Sequence, residues 1–579
     1  TLRDRNSNPV SGQTVTFASS LAGTTAGSVT DNGNGTYTAQ LTGTTAGTTS
    51  VTAQVGGSAF NVSAAQVTLT ADGTTAGLGN TGAGLSTVSD NAVANGTATN
   101  SVRAVVTDAR GNPVAGAAVS FAADNGATIA AGGTTGADGS VTVTLTSLTA
   151  GQSTVTASIN GSSKTAAVTF VADITTAKLS VASDRVNNVV ADGIDSAQIT
   201  ATVSDANGNT LSNYAVTFSA TNSGVIPANG TTDSNGEVVV TLTNVVAGTT
   251  NVTAGIDSGG TSVTKNISVI FIGDSDNLSA TNSSLTASPA TIVADGSTAS
   301  TVTLTLRDSN SNPVSGQTVT LASSLAGTTA GSVTDNGDGT YTAQLTGMMA
   351  GTTSVTAQVG GSAFNVSAVQ VTLTALPPQP VPAATTLSAN GYSFASNSSF
   401  PQTGFTGATF KVQLNGNTAT NSNYTWSANQ AWVNVDGSGN VSFIGTATSG
   451  TKNVIITATP KAGGAALTYS FSVNKWFTNA GSTFLDWSNA SSYCSTRGGV
   501  PSISEVSSGQ NVRGTIGVLY AEWGSLLSYV AGFDGNYYYW LSDMRDAVNH
   551  RGLIVDSGFT SSNNTYNSMF EGVLCRQGL

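Results

Sequence analysis

The sequence predicts a mainly β protein: tandem β-sandwiches followed by one α+β domain. Three observations carry this. The chain repeats itself at a period of about a hundred residues, too long for a solenoid unit and right for one sandwich. Within each repeat, short runs alternate Val, Ala or Leu with Thr, Ser or Asn and end in Gly, Asn and Pro clusters, the pattern of half-buried strands joined by turns. At the C-terminal end the composition changes, for residues 475–579 hold sixteen aromatic side chains against ten in all of 1–375, and both cysteines of the chain.

The repeats are legible letter by letter. Residues 1–72 recur at 305–376 almost unchanged, and two more copies lie between. The motif D-x-x-x-N-P-V-x-G starts at Asp4, Asp108 and Asp308, with a diverged D-A-N-G-N at Asp205. A second motif, A-G-x-x-x-V-T-A, has its glycine at Gly47, Gly151, Gly248 and Gly351. Strands are expected at Ser101–Val106, Ala118–Ala122 and Ser140–Leu145, separated by the turn clusters Gly111-Asn112-Pro113, Ala137-Asp138-Gly139 and Ala150-Gly151. Each core must come from Val, Ala, Leu, Ile and few aromatics. Thr1 aligns with Thr305, which lies inside its own repeat, so the first sandwich is expected to begin in mid-domain without its opening strands.

The expected domains are 1–72 (partial), 73–173, 174–274 and 275–376, all of one sandwich type. The proline-dense Leu376–Pro382 is an extended connector. A sandwich of a different subtype follows at 377–474, with eleven aromatics after the connector, Trp426 and Trp432 among them, and strands at Phe410–Leu414 and Asn453–Thr457. The α+β domain is 475–579. In it, Thr483 with Asp486 reads as a capping box, and Trp487, Ala490, Ser491 and Cys494 share one helical face. Arg497-Gly498-Gly499 end that helix, and Ser504-Glu505-Val506 start a second short one. Cys494 and Cys575 are the only cysteines, and one pair bracketing an aromatic-rich segment is most economically a disulfide.

Taken together, W-x-x-A-x-x-Y-C at Trp487–Cys494, GGVPSISE at Gly498–Glu505, YYYWLSD at Tyr537–Asp543 and V-L-C at Val573–Cys575 resemble a C-type-lectin-like domain. With the repeats upstream, which resemble bacterial immunoglobulin-like domains, the whole chain resembles the extracellular part of the intimin/invasin family of bacterial adhesins, inverse autotransporters. The resemblance implies a monomeric rod of immunoglobulin-like domains that presents the C-terminal tip to a host cell-surface or extracellular protein, an integrin, an immunoglobulin or another receptor. It also implies the bacterial outer membrane and cell surface, with attachment through an N-terminal β-barrel that these residues do not include. The rival readings are a glycan-binding lectin and a structural biofilm protein.

Bulk properties exclude several classes. A net charge of −12 with 18 Lys and Arg leaves no basic cluster for nucleic acid. No apolar run reaches the roughly 18 residues of a membrane helix, and no signal peptide opens the sequence. The G-x-G-x-x-G at Gly77–Gly82 lacks a strand-helix context and reads as a loop. His550 is the only histidine, a poor basis for a nucleophilic triad, and Asp543 and Asp546 flank Arg545 as an ion pair would. No enzyme, cofactor or catalytic metal is expected. Asp72, Asp173, Asp274 and Asp276 near the repeat junctions suit either interdomain calcium or turns. The E-P-N or Q-P-D and W-N-D signatures of sugar-binding lectins are missing between Trp540 and Cys575, and there is no R-G-D.

The recognition surface is therefore sought in Tyr520–Asp556, dense in the residue types of interface hot spots. Its candidate contacts are Trp523, Phe533, Tyr537, Tyr539, Asp543, Arg545, Asp546, His550, Arg551 and Asp556. In a strand, Tyr538 and Trp540 face one side and Tyr537 and Tyr539 the other, so Trp540 is expected to be buried and the odd-numbered tyrosines exposed.

Overall fold

The computed structural model describes residues 1–529, 532–561 and 566–579. It divides into two compact units, Thr1–Gly273 and Asp274–Leu579.

In the first unit the strands fall where alternation places them. Asn100–Thr107, Ala118–Ala123 and Ser140–Thr146 enclose the three runs expected for the second repeat. Ser140–Thr146 and Asn100–Thr107 pair antiparallel in one sheet, while Ala118–Ala123, Gly151–Ile159 and Ser162–Val171 pair in the other. Their inward residues, among them Val102, Ala104, Val119, Phe121, Val155, Val168 and Phe170, form one core. The third repeat repeats this plan, with Ile199, Val216, Phe218, Val252 and Phe271 inside. Each of these two cores holds two phenylalanines, and small Val and Ala side chains fill the rest, which is how so few aromatics support two packed layers. Residues 1–72 contribute a three-stranded sheet of Val15–Ser19, Gly47–Val55 and Ser58–Leu69 over a small core of Leu2, Val15 and Tyr37. The D-N-G-N-G and D-N-G-D-G runs close tight hairpins with their glycines at positive φ, as expected of such turns.

In the second unit, a four-strand and a five-strand sheet enclose Val302, Leu304, Tyr341, Leu345, Val355 and Val371. After the connector come two further sheets, one containing Asn453–Pro460 and the other Thr409–Gln413. The last sheet holds five strands in the order Thr403–Gly404, Lys475–Leu485, Glu571–Gly578, Tyr539–Met544 and His550–Leu553. Three short helices accompany it: α1 (Trp487–Ser495), α2 (Ile503–Val506) and α3 (Leu519–Trp523). Its first strand comes from the preceding sandwich and pairs parallel, Thr403 with Lys475 and Gly404 with Trp476. Gly404 is required by this approach, since a Cβ there would lie 2.7 Å from the Trp476 ring. One hydrophobic core accordingly runs across residue 474, from Leu387, Phe410 and Phe471 through Trp476 and Trp523 to Tyr539 and Leu574.

Candidate functional site

The C-terminal domain is built from its helix and its disulfide. Asp486, and not Thr483, caps α1: its carboxylate accepts the Asn489 N–H at 2.9 Å, because the strand before it runs on to Leu485 and leaves Thr483 extended. Ala490 and Cys494 then face inward. Cys494 is bonded to Cys575 in the last strand, and Trp540 packs with them and Val573 while its indole N–H donates to the Leu485 carbonyl at 2.8 Å. The second short helix is present as α2, opened by a true capping box between Ser502 and Glu505. Asp543 is tied to this helix, accepting the Ile503 N–H at 2.6 Å.

Three of the aromatic candidates are structural. Trp523 is 0% exposed: it plugs the preceding sandwich, its ring against Phe400, Phe405, Phe410 and Phe443 and its N–H donating to the Thr403 hydroxyl at 3.0 Å. Tyr539 is also 0% exposed, which corrects the expectation that the odd-numbered tyrosines lie outside. The alternation itself holds, but both faces of this strand are covered, Tyr539 and Leu541 by the large core and Trp540 by the disulfide cluster. Phe533 packs edge-on against Phe405 and Tyr539.

Beside Trp523 lies a group that the sequence did not single out. Glu522 is fully buried and accepts four hydrogen bonds, from the N–H groups of Gln402, Thr403 and Gly517 at 2.8 Å each and from the Thr403 hydroxyl. Burial pushes its carboxyl up from the ordinary value, against the pull of these donors. Arg513 completes the joint, its guanidinium donating to the Ala389, Asn390, Ala521 and Glu522 carbonyls. An acid and an arginine that both bind backbone have no residue-type signature, so only the fold reveals them.

What the domain leaves outside is a surface around the turn between Met544 and His550. Here Asn567, also unsignalled in the sequence, ties three segments together. It accepts the His550 N–H at 3.0 Å, its N–H donates to the Asn549 side chain at 3.2 Å and its carbonyl accepts the Trp487 N–H at 3.1 Å. The His550 ring stacks on Trp487 with centroids 3.5 Å apart. Arg545 pairs with Asp546 at 2.6 Å and lies over the Tyr566 ring, 5.0 Å from its centroid. The Asn549 side chain and that guanidinium hold the Asp546 carboxyl well below its ordinary range. Beside these polar ties Val548 is 69% and Tyr566 50% exposed, Met544 is exposed as well, and further along the chain so are Met569 and, at 64%, Phe570. Tyr537 is exposed and lies tilted against Phe484, centroids 4.0 Å apart. Arg551 donates to the Ser561 carbonyl at 3.1 Å and Asp556 accepts from Ser525. Of the ten candidates, the structure thus gathers Arg545, Asp546 and His550 on one face, sends Trp523 and Tyr539 into the core and leaves Phe533 half-buried against it.

This surface offers apolar contact and a few fixed polar groups. Three of the four junction aspartates accept local hydrogen bonds: Asp72 takes the Thr74 N–H and hydroxyl on one oxygen, Asp173 does the same with Thr175, and Asp274 accepts the Asp276 N–H on one oxygen and the Asn277 side chain on the other. Donors thus occupy one carboxylate oxygen of Asp72 and of Asp173 and both of Asp274, the groups a calcium ion would need. Among the described residues no three His, Cys, Asp or Glu side chains group as metal ligands, and no helix is long and apolar enough to cross a membrane.

Known proteins agree with this architecture. Residues 1–72 and 279–376 match the family model described as invasin, domain 3; residues 83–171 and 179–272 match the bacterial Ig-like domain (group 1); and residues 385–471 match invasin, domain 4. The chain is 32% identical over 324 residues to invasin of Yersinia enterocolitica, covering 55% of this chain and 37% of that protein. It is 30% identical over 471 residues to the inverse autotransporter adhesin YeeJ of Escherichia coli (strain K12), covering 75% of this chain and 19% of that protein. The chain therefore spans well under half the length of either relative. A crystal structure titled invasin, a bacterial integrin-binding protein, aligns at 27% identity with a TM-score of 0.44 over 86% of this chain and 99% of that one. These homologues are adhesins and not enzymes, and the chain, built of invasin domains and bacterial Ig-like repeats, belongs to the invasin/intimin family of bacterial adhesins.

Proposed function

We propose that this chain is the outer part of a bacterial surface adhesin, in which the immunoglobulin-like domains carry a C-type-lectin-like tip, residues 475–579, that binds a host protein. The observation that carries the reading is the exposed Tyr566 under the Arg545 guanidinium and the exposed Val548 bonded through its N–H to Asp546, with Phe570, also exposed, four residues beyond Tyr566 in the chain. Exposed apolar side chains beside fixed polar groups have the composition of a protein-binding patch. Tyr537, Arg545, Asp546 and His550 join it as contacts, and Arg551 and Asp556 are further candidates. The partner is an integrin, an immunoglobulin or another receptor, met at the outer membrane surface. Binding is independent of calcium, because the candidate acids Asp543, Asp546 and Asp556 are engaged by Ile503, by Arg545 and Asn549, and by Ser525. The test is capture of host cell-surface and serum proteins on the immobilised chain with and without EDTA. Retention in both supports the proposal; a partner lost in EDTA favours a glycan-binding lectin.

A further inference from the structure

The two motifs that mark the repeat lie outside the surface proposed for the partner, yet the fold brings them together. Asn112, the asparagine of D-x-x-x-N in the second repeat, reaches into the first. Its side-chain oxygen accepts the Ala46 N–H at 2.8 Å and its amide donates to the Thr44 carbonyl at 3.0 Å. Ala46 is the alanine of A-G-x-x-x-V-T-A. The next junction repeats the geometry: Asn209 accepts the Ala150 N–H at 2.7 Å and donates to the Leu148 carbonyl at 2.9 Å. In both cases the side-chain amide imitates the peptide group of a neighbouring strand, meeting one donor and one acceptor two residues apart.

The aspartate of the motif sets this asparagine in place. Asp108 accepts the Asn112 N–H at 2.9 Å and its side-chain amide at 2.8 Å, and also the Asp72 N–H of the connecting segment at 3.2 Å. Asp205 does the same with Asn209 and Asp173, and Asp308 with Asn312 and Asp274. The glycine after the gripped alanine, Gly47 or Gly151, sits at positive φ, a conformation that other residues adopt only with strain. A domain of different subtype uses the same socket by other means: Met348, aligned with Thr44, has its carbonyl bonded by the Gly464 N–H at 2.8 Å.

We propose that the D-x-x-x-N loop and the A-G turn are the two halves of a docking site between modules, by which one repeat recognises a preceding repeat of the same kind and fixes its orientation. Asn112 and Asn209 make the contact, and Asp108 and Asp205 are positioning residues. Hydrogen exchange measured amide by amide on the full chain tests this. In Asn112→Ala the Ala46 amide loses its protection while the amides of the Gly151–Ile159 and Ser162–Val171 strands keep theirs. Asn8→Ala, which removes the same internal bond in a loop where Asn8 meets Asp4, leaves Ala46 protected. Asn209→Ala exposes Ala150 and spares Ala46, so either junction decides the matter if one variant fails to fold. Unchanged protection of Ala46 and Ala150 in these variants, or equal loss of Ala46 protection in Asn8→Ala, overturns the proposal.

Discussion

Trp523 stands in α3 of the C-terminal domain, yet its indole N–H donates to Thr403, a residue of the preceding sandwich. Thr403 in turn opens the edge strand that pairs with Lys475–Leu485. The two domains thus exchange a strand in one direction and an indole in the other, around the buried Glu522.

Replacing Trp523 by alanine should lower the stability of residues 385–579 by about 3–5 kcal/mol, the cost of a large aromatic cavity in a closed core. Calorimetry checks this. The wild-type sandwich and C-terminal domain should melt in one transition; two separate wild-type transitions would show that the shared core does not couple them.

Reduction of Cys494–Cys575 releases a closure of sequence separation 81. On the chain-entropy account that costs about 4–5 kcal/mol. The melting temperature of the C-terminal domain should fall with reductant while that of the cysteine-free repeats stays fixed. Equal shifts in both would contradict the assignment.

Acid should weaken the repeats. Burial pushes the Asp205 carboxyl up, but the donors on Asn209, Asp173 and Asn207 together outweigh it and hold the group below its ordinary 3.8; Asp108 behaves likewise. A depressed folded value means stability present above pH 3.8 and lost as pH falls through the folded value. The melting temperature of the repeats should therefore drop on going from about pH 4 to about pH 2, and Asp205→Asn should remove part of that dependence. A flat profile would contradict it.

The sandwiches were legible because alternation and turn chemistry are local, so the runs at Ser101 and Ser140 fall in strands within a residue or two of expectation. The disulfide was legible by simple scarcity. The candidate surface was only half visible. Aromatic density flagged Tyr537 and Trp523 alike, and whether a ring is contact or core depends on what a distant segment lays over it, here Phe400 and Phe405 from another domain. The exposed pair of Val548 and Tyr566 was missed because the two are distant in sequence and are brought together by Arg545 over the Tyr566 ring and by Asn567, which binds three chain segments through its backbone and side chain.

The central claim, that this face binds a host protein, is tested by partner capture on the full chain carrying Tyr566→Ser and Phe570→Ser together. Both side chains are at least half exposed, so the variant should fold, with an unchanged melting temperature, and lose affinity about thirtyfold or more, as expected for anchors of about 2 kcal/mol each. Capture by the folded double variant at wild-type affinity would contradict the account.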